Sequence, residues 1–210
     1  MQVTVFGANG RVGQQIVRIA LQKGYKVKAA VHSSSNLSKD PNLEIVIADI
    51  YKLADVEKAI AGSDVVFSAL SSWGTPGKDI LSSGIKNIIK AMDQQNIKRL
   101  ISLTGSDARA TGDDLSMVHR LSHLAISFVA KKIIIDSEEH LKLLEASDLN
   151  WSVVRSSVMN NRSKIDDFKL TSNRPTPWST INRGSVAKAM VNLANGDDYS
   201  KSAPYIDRAS

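Results

Sequence analysis

The sequence predicts a single-domain α/β protein with a doubly wound parallel sheet, and three observations predict it. Apolar segments of strand length alternate with segments of helical period along the first half of the chain. The first apolar segment ends in three glycines spaced three apart, Gly7, Gly10 and Gly13, just ahead of an amphipathic run. The length, 210 residues, suits one sizeable core and is short for two average ones.

Taken in order, Gln2 to Phe6 alternates apolar and polar residues, as a strand does. Arg11 to Lys23 then sets Val12, Ile16, Val17, Ile19, Ala20 and Leu21 at helical spacing until Gly24 stops the run. Lys26 to Val31 is a second strand, ending in the polar string His32 to Asn36, and Leu43 to Ala48 a third, ending at Asp49. Lys52 to Ala61 makes a short helix closed by Gly62. Asp64 to Ala69 is almost wholly apolar, which marks a fourth strand covered on both faces. Lys78 to Gln95 carries Leu81, Ile85, Ile88, Ile89 and Met92 on one helical face, and Lys98 to Leu103 follows as a fifth strand.

Beyond Thr104 the rhythm loosens. Thr104 to Asp114 is rich in Gly, Asp, Ser and Thr; a helical stretch then runs to about Leu144, with Glu138, Glu139 and His140 expected as a charged surface at the start of a helix served by Asp136 and Ser137. Asn150 to Arg155 is another strand. Ser156 to Asn182, with Pro175 and Pro177 and little periodicity, is expected as a long excursion, either a substrate loop or lid or a surface loop. A helix from Arg183 to Asn195 and a short strand from Ala203 to Ile206 close the chain. Each helix returns the chain to the same edge, so the strands pair in parallel, and the right-handed crossover winds them doubly. Ligands of such sheets sit beyond the carboxyl ends of the strands. The segments there are Gly7 to Gly13, His32 to Asn36, Asp49 and Ile50, Leu70 to Gly74, and Thr104 to Asp107.

Composition excludes several function classes. The apolar fraction, 42%, and the charged fraction, 23%, are those of an ordinary globular chain. The longest membrane-span candidate, Leu121 to Ile135, is broken by Ser122, His123, Ser127, Lys131 and Lys132, and the N-terminus lacks the pattern of a secretory signal. Without cysteine there is no disulfide framework, thiolate nucleophile or cysteine metal site. The formal charge of +6 is spread along the chain with no basic block, which argues against a nucleic-acid partner and for a solvated basic surface helped by an anionic ligand. A cytoplasmic protein without membrane or metal is expected.

A backbone that turns sharply from strand to helix and comes close to a pyrophosphate has no room for side chains at the turn, while the helix start supplies free N–H donors. Gly7, Gly10 and Gly13 stand where those needs arise, with Asn9, Arg11 and Val12 between them. A dinucleotide site is therefore expected in preference to a merely tight turn.

GANGRVG at this turn, AVHSSSN after the second strand, ADI after the third, LTGS after the fifth, and the late EASDLNWSVVRSS and INRGSVAKAMVNL together resemble the atypical short-chain dehydrogenase/reductase group. Within it the chain is similar to NmrA-like proteins and to the small NADPH-dependent flavin and biliverdin-IXβ reductases. The resemblance spans nearly the whole chain and implies a Rossmann-type domain. It implies further that Asp49 accepts from the adenine amine with the backbone of Ile50 alongside, a capping or loop aspartate being the alternative. Ala69, Leu70 and Ser71 would line the adenosine side, and Thr104, Gly105 and Ser106 the nicotinamide side.

NAD-specific sites usually place a carboxylate at the end of the second strand, about 20 residues past the glycines, to bind the ribose diol. Here that position holds His32, Ser33 and Ser34. These groups, with the Arg11 guanidinium, can all donate to a 2′-phosphate that a carboxylate would repel, so NADP(H) is expected ahead of NAD(H). The resembled proteins commonly carry arginine where this chain has His32, which leaves more of the phosphate recognition to Arg11.

Carbonyl-reducing short-chain dehydrogenases use a tyrosine four residues before a lysine. None of the four tyrosines fits: Ala29, Asp55, Ala203 and Ala209 lie four beyond Tyr25, Tyr51, Tyr199 and Tyr205. Hydride transfer to a flavin, quinone or similar planar conjugated acceptor needs no such dyad, because the acceptor delocalises the charge. Ser106 is the candidate catalytic residue, as a hydrogen-bond partner of nicotinamide or acceptor, against a turn-forming role. His119 and His123 share a helical face and are expected to meet solvent, without a third metal ligand. Two readings follow: an NADPH-dependent reductase, monomer or homodimer, of a small planar substrate, and a non-enzymatic NADP(H) sensor of the NmrA-like kind.

Overall fold

The computed structural model describes residues 1–73, 75, 77–113, 116–162, 165 and 167–209. In chain order the elements are β1 (Gln2–Phe6), α1 (Arg11–Gln22), β2 (Lys26–Val31), β3 (Leu43–Ile47), α2 (Leu53–Ile60), β4 (Val65–Ser68), α3 (Ile80–Gln94), β5 (Arg99–Gly105), α4 (Met117–Glu145), β6 (Asn150–Ser156), β7 (Val158–Asn160), β8 (Phe168–Thr171), β9 (Thr180–Asn182), α5 (Arg183–Asn192) and β10 (Tyr205–Arg208). The main sheet has the order β3-β2-β1-β4-β5-β6-β10-β8, parallel except for β8, which runs antiparallel to β10. This is the doubly wound Rossmann-type architecture. The strand order reverses at β1, whose neighbours are β2 and β4, so the crevice for a ligand opens above the ends of β1 and β4.

Each face of the sheet carries its own core. On one side α1 and α5 pack against Val3, Val5, Phe67, Ile101 and Val154. On the other, α2, α3 and α4 cover Phe6, Val66, Leu100, Trp151 and Val153. Both faces of β4 are thus covered, which is why its sequence shows no polar alternation.

The excursion expected from Ser156 to Asn182 is not structureless. It holds β7 and β9, paired in parallel with each other, and β8, which covers the edge of β10 that would otherwise expose unpaired backbone groups. Phe168 and Leu170 of β8 turn to the core beneath α5. Three or four residues per strand are too few for a period of two to stand out.

The stretch after β5 also differs from expectation. α4 is one element of 29 residues with a non-helical residue, Ala130, at its kink. Glu138, Glu139 and His140 therefore lie in its last third and do not begin a helix. Glu139 is exposed, but His140 is buried, because it shares the inward face with Leu141 and Leu144 and meets Ser102 of β5, with 2.9 Å between Nε2 and Oγ. Burial pushes its pKa down to about 4, against which the charge of Asp136 works only partly.

The unfolded chain takes up a proton on this imidazole near pH 6.5, whereas the folded chain refuses it until about 4. The stability that depends on neutral His140 is thus complete above pH 6.5 and falls by about 3 kcal/mol as the pH drops toward 4. Denaturant unfolding of the parent and of His140→Gln across that range should show the steeper fall in the parent; equal slopes would contradict this account.

Candidate functional site

The turn between β1 and α1 is built by three glycines with different duties. Gly7 has φ +72°, and a Cβ there would lie 2.7 Å from the carbonyl oxygen of Ala69 at the end of β4. At Gly13 a Cβ would come within 2.0 Å of the Gly7 oxygen, so the first turn of α1 can lie against the end of β1 only without a side chain. Gly10 has extended backbone (φ −69°, ψ 159°) and caps α1 without a side-chain hydrogen bond; its N–H donates to Gly7 O at 2.9 Å. The amides of the first helical turn have no intrahelical acceptors and face the crevice edge. This side-chain-free cradle fits the diphosphate of a dinucleotide.

Asn9 acts as a strap. Its Nδ2 donates to Ser34 O at 2.6 Å and its Oδ1 accepts from Ser35 Oγ at 3.1 Å, which ties the connection after β2 to the glycine turn. His32, Ser33, Ser34 and Arg11 are all exposed around that tie, while Val12 is buried in the core beneath it. Arg11 is not the sole cation there. Arg183, first residue of α5, has its pKa lowered, chiefly by burial and then by the charge of Arg11. Asn182 caps α5 through Gly184 N, and Arg183 Nη1 donates to Asn161 Oδ1 at 2.6 Å. The charges of Arg11 and Arg183 therefore act on each other across the packed helices α1 and α5.

After β3, Asp49 Oδ1 accepts from Tyr51 N at 3.0 Å, closing its own turn, and Ile50 is buried against α3, where Gly84 leaves room for it and for Leu70. Ala69 is buried and Ser71 exposed after β4; Gly74, which ends the segment expected at this edge, lies outside the described residues. At the end of β5, Thr104 is buried and its Oγ1 has no partner among the described residues; Gly105 is exposed. Ser106 is half-buried, its N–H donating to Ser156 O at 2.8 Å. The described residues of the expected segments therefore follow the carboxyl ends of β1 to β5, on one edge of the sheet.

Asp136 has a different role from the one expected. Its carboxylate accepts from Leu81 N (3.1 Å), Ser82 N (2.8 Å), Ser82 Oγ (2.6 Å) and Ser72 Oγ, so it serves the start of α3 and not that of its own helix. It thereby fixes the connection that carries Ala69, Leu70 and Ser71. His119 and His123 do not simply face solvent: His119 Nε2 lies 3.2 Å from Pro175 O, and His123 Nδ1 lies 3.2 Å from Asp107 O. A pair of imidazoles joins the first half of α4 to the connections after β5 and β8.

Sequence reasoning missed Arg183 and the reach of Asp136. Asn-Arg-Gly at a helix start was readable, but its place beside Arg11 depends on α5 packing on α1, more than 150 residues apart in the chain.

These features define a nicotinamide-dinucleotide-binding protein. The family model described as NAD(P)H-binding matches residues 7–197, and the chain belongs to that family. An uncharacterized chloroplastic protein of Arabidopsis thaliana is 26% identical over 203 residues, 90% of this chain and 69% of that protein. Among solved structures, a short-chain dehydrogenase/reductase of Veillonella parvula in complex with NADP superposes with a TM-score of 0.79 at 15% identity, covering 100% of this chain and 95% of that one. ChuY, an anaerobillin reductase from Escherichia coli O157:H7, gives 0.79 at 15% identity, covering 100% and 98%. The chain binds NAD(P)H.

Removing the Asp136 charge leaves the α3 start and Ser72 without their shared acceptor. Asp136→Asn is expected to cost about 3 kcal/mol in unfolding free energy and to weaken dinucleotide binding several-fold, as read by melting and calorimetry. Unaltered values for both would show that the carboxylate does not hold this connection.

Proposed function

We propose that this chain is a cytoplasmic NADPH-dependent reductase, monomer or homodimer, that passes hydride to a small planar conjugated acceptor such as a flavin or quinone. The nicotinamide supplies the hydride when bound. Gly7, Gly10 and Gly13 with the α1 amides hold the diphosphate, Arg183 supports it, and Arg11 with His32, Ser33 and Ser34 donates to the 2′-phosphate. Ser106 orients nicotinamide or acceptor at the end of β5.

The observation that carries this reading is exposed aromatic surface on two of the connections. Trp73, after β4, and Trp178, before β9, are 64% and 75% exposed, which offers flat apolar surface to a ring system. Tyr205 is no acid near neutral pH: it is buried, donates to Asp113, and has its pKa raised to about 12, mainly by burial. An acceptor that draws its proton from water suits such a site.

The sensor reading has its own support in the exposed apolar stripe of α4, where Met117, Leu121, Leu124 and Phe128 offer a surface for a protein partner. One experiment separates the two. NADPH mixed with the protein and then with FMN, riboflavin or a small quinone should be oxidised in proportion to enzyme; tight binding without turnover selects the sensor.

NADPH should bind more tightly than NADH, and Arg11→Ala should narrow the gap by about 1 to 3 kcal/mol, the size of a charge-assisted hydrogen bond. Equal affinities in the parent protein would refute the 2′-phosphate assignment.

A further inference from the structure

A groove of about 930 Å³ lies beside the dinucleotide edge, lined among others by Trp151 and Arg155 of β6, Tyr205 of β10, Asp113, Glu145 and Arg174. None of the residues assigned to the dinucleotide lines it among the described residues. Its acids are saturated by the protein itself. Asp113 accepts from both terminal nitrogens of Arg155, from Ala110 N at 3.0 Å and from Tyr205 OH at 3.2 Å. Glu145 accepts from Thr111 N at 3.0 Å and Thr111 Oγ1 at 2.7 Å. Arg155 also donates to the carbonyls of Ala203 and Ala108 and lies over the Tyr205 ring.

Its donors are not all used. Arg174 has a side chain only 5% exposed and gives one terminal nitrogen to Asp107, but the other, Nη1, is buried without a partner among the described residues. Trp151 is buried, and its indole N–H is likewise unpartnered. Lys201 stands exposed at the rim, so three cations (Arg155, Arg174, Lys201) and two acids (Asp113, Glu145) line the groove. Asp107 behind the groove balances Arg174, so the surplus is one of buried N–H donors and not of net charge, and the two donors left open, one guanidinium and one indole, call for a ligand that brings oxygens.

We propose that this groove is a second ligand site, separate from the dinucleotide cleft, for a small organic anion bearing a carboxylate or phosphate. The anionic oxygen takes Arg174 Nη1, and a further oxygen takes the Trp151 indole. Arg174 is anchored on Asp107, next to Ser106, so the site lies at the flank of the nicotinamide end.

The test is titration of the whole protein, saturated with NADP⁺, with benzoate and separately with phenyl phosphate. Calorimetry gives the affinity, and the indole N–H resonance of Trp151, assigned with Trp151→Phe, gives the place. The expected result is a saturable shift of that resonance with at least one probe, whose identity tells carboxylate from phosphate. Arg174→Gln should then weaken binding by about tenfold or more, as loss of a charge-assisted hydrogen bond does. Trp151→Phe, which leaves the Arg174–Asp107 pair intact, should weaken it several-fold and decides alone if Arg174→Gln does not fold. Absence of binding by both probes, loss of binding once NADP⁺ fills its site, or full affinity in the folded variants would overturn the proposal.

Discussion

The closeness of two backbones is the constraint on which the rest depends. α1 can begin where it does only because nothing projects from Gly13 toward the Gly7 carbonyl, 2.0 Å from where a Cβ would stand, and nothing from Gly7 toward the end of β4. With side chains there, α1 would be pushed off β1 and its free amides would aim elsewhere. Since α5 packs along α1, its start and Arg183 would move too. A local steric condition at two residues thus sets where the start of α1 and, through α5, Arg183 stand.

Polar atoms buried in the second core do for the opposite side what the glycines do for the first. Asp136 joins α4 to the start of α3, and His140, one turn on, meets Ser102 in the middle of β5. Apolar contacts alone tolerate sliding of a helix along a sheet, whereas buried hydrogen bonds of this kind hold one register. The connection after β4 and the end of β5, the walls of the crevice, are fixed with respect to each other through α4. The neutral state of His140 belongs to that arrangement, because a charged imidazole there would be buried beside apolar side chains of α3 and α4.

Much of this was legible in the sequence because the signals were local. The strands β1 to β6 and the helices between them follow from periodicity and glycine stops, and their boundaries in the structure fall within a residue or two of those read, apart from the start of α4. The glycine turn and the polar ends of β2 and β5 follow from connectivity. What was not legible depends on distance along the chain or on brevity. Asp136 reads as a helix-start residue when its own segment is considered, and only the α3–α4 contact reveals which helix it caps. β7, β8 and β9 are too short to show a period. Asn9 reads as a dinucleotide contact, and only the folded chain shows it gripping the Ser34 and Ser35 segment.

The division of labour among the glycines gives the most direct measurement of the central claim. Gly10 is exposed and extended, and a Cβ there would meet only the Gly7 oxygen, at 3.0 Å, which a small adjustment relieves. Gly10→Ala should therefore fold and melt close to the parent, yet its methyl would occupy the path of the diphosphate. Calorimetric titration of this variant with NADPH is expected to show affinity reduced by about a factor of ten or more, the effect of about 1.4 kcal/mol. A folded Gly10→Ala protein that binds NADPH as tightly as the parent would mean that the dinucleotide is held somewhere other than on the bare turn at the start of α1.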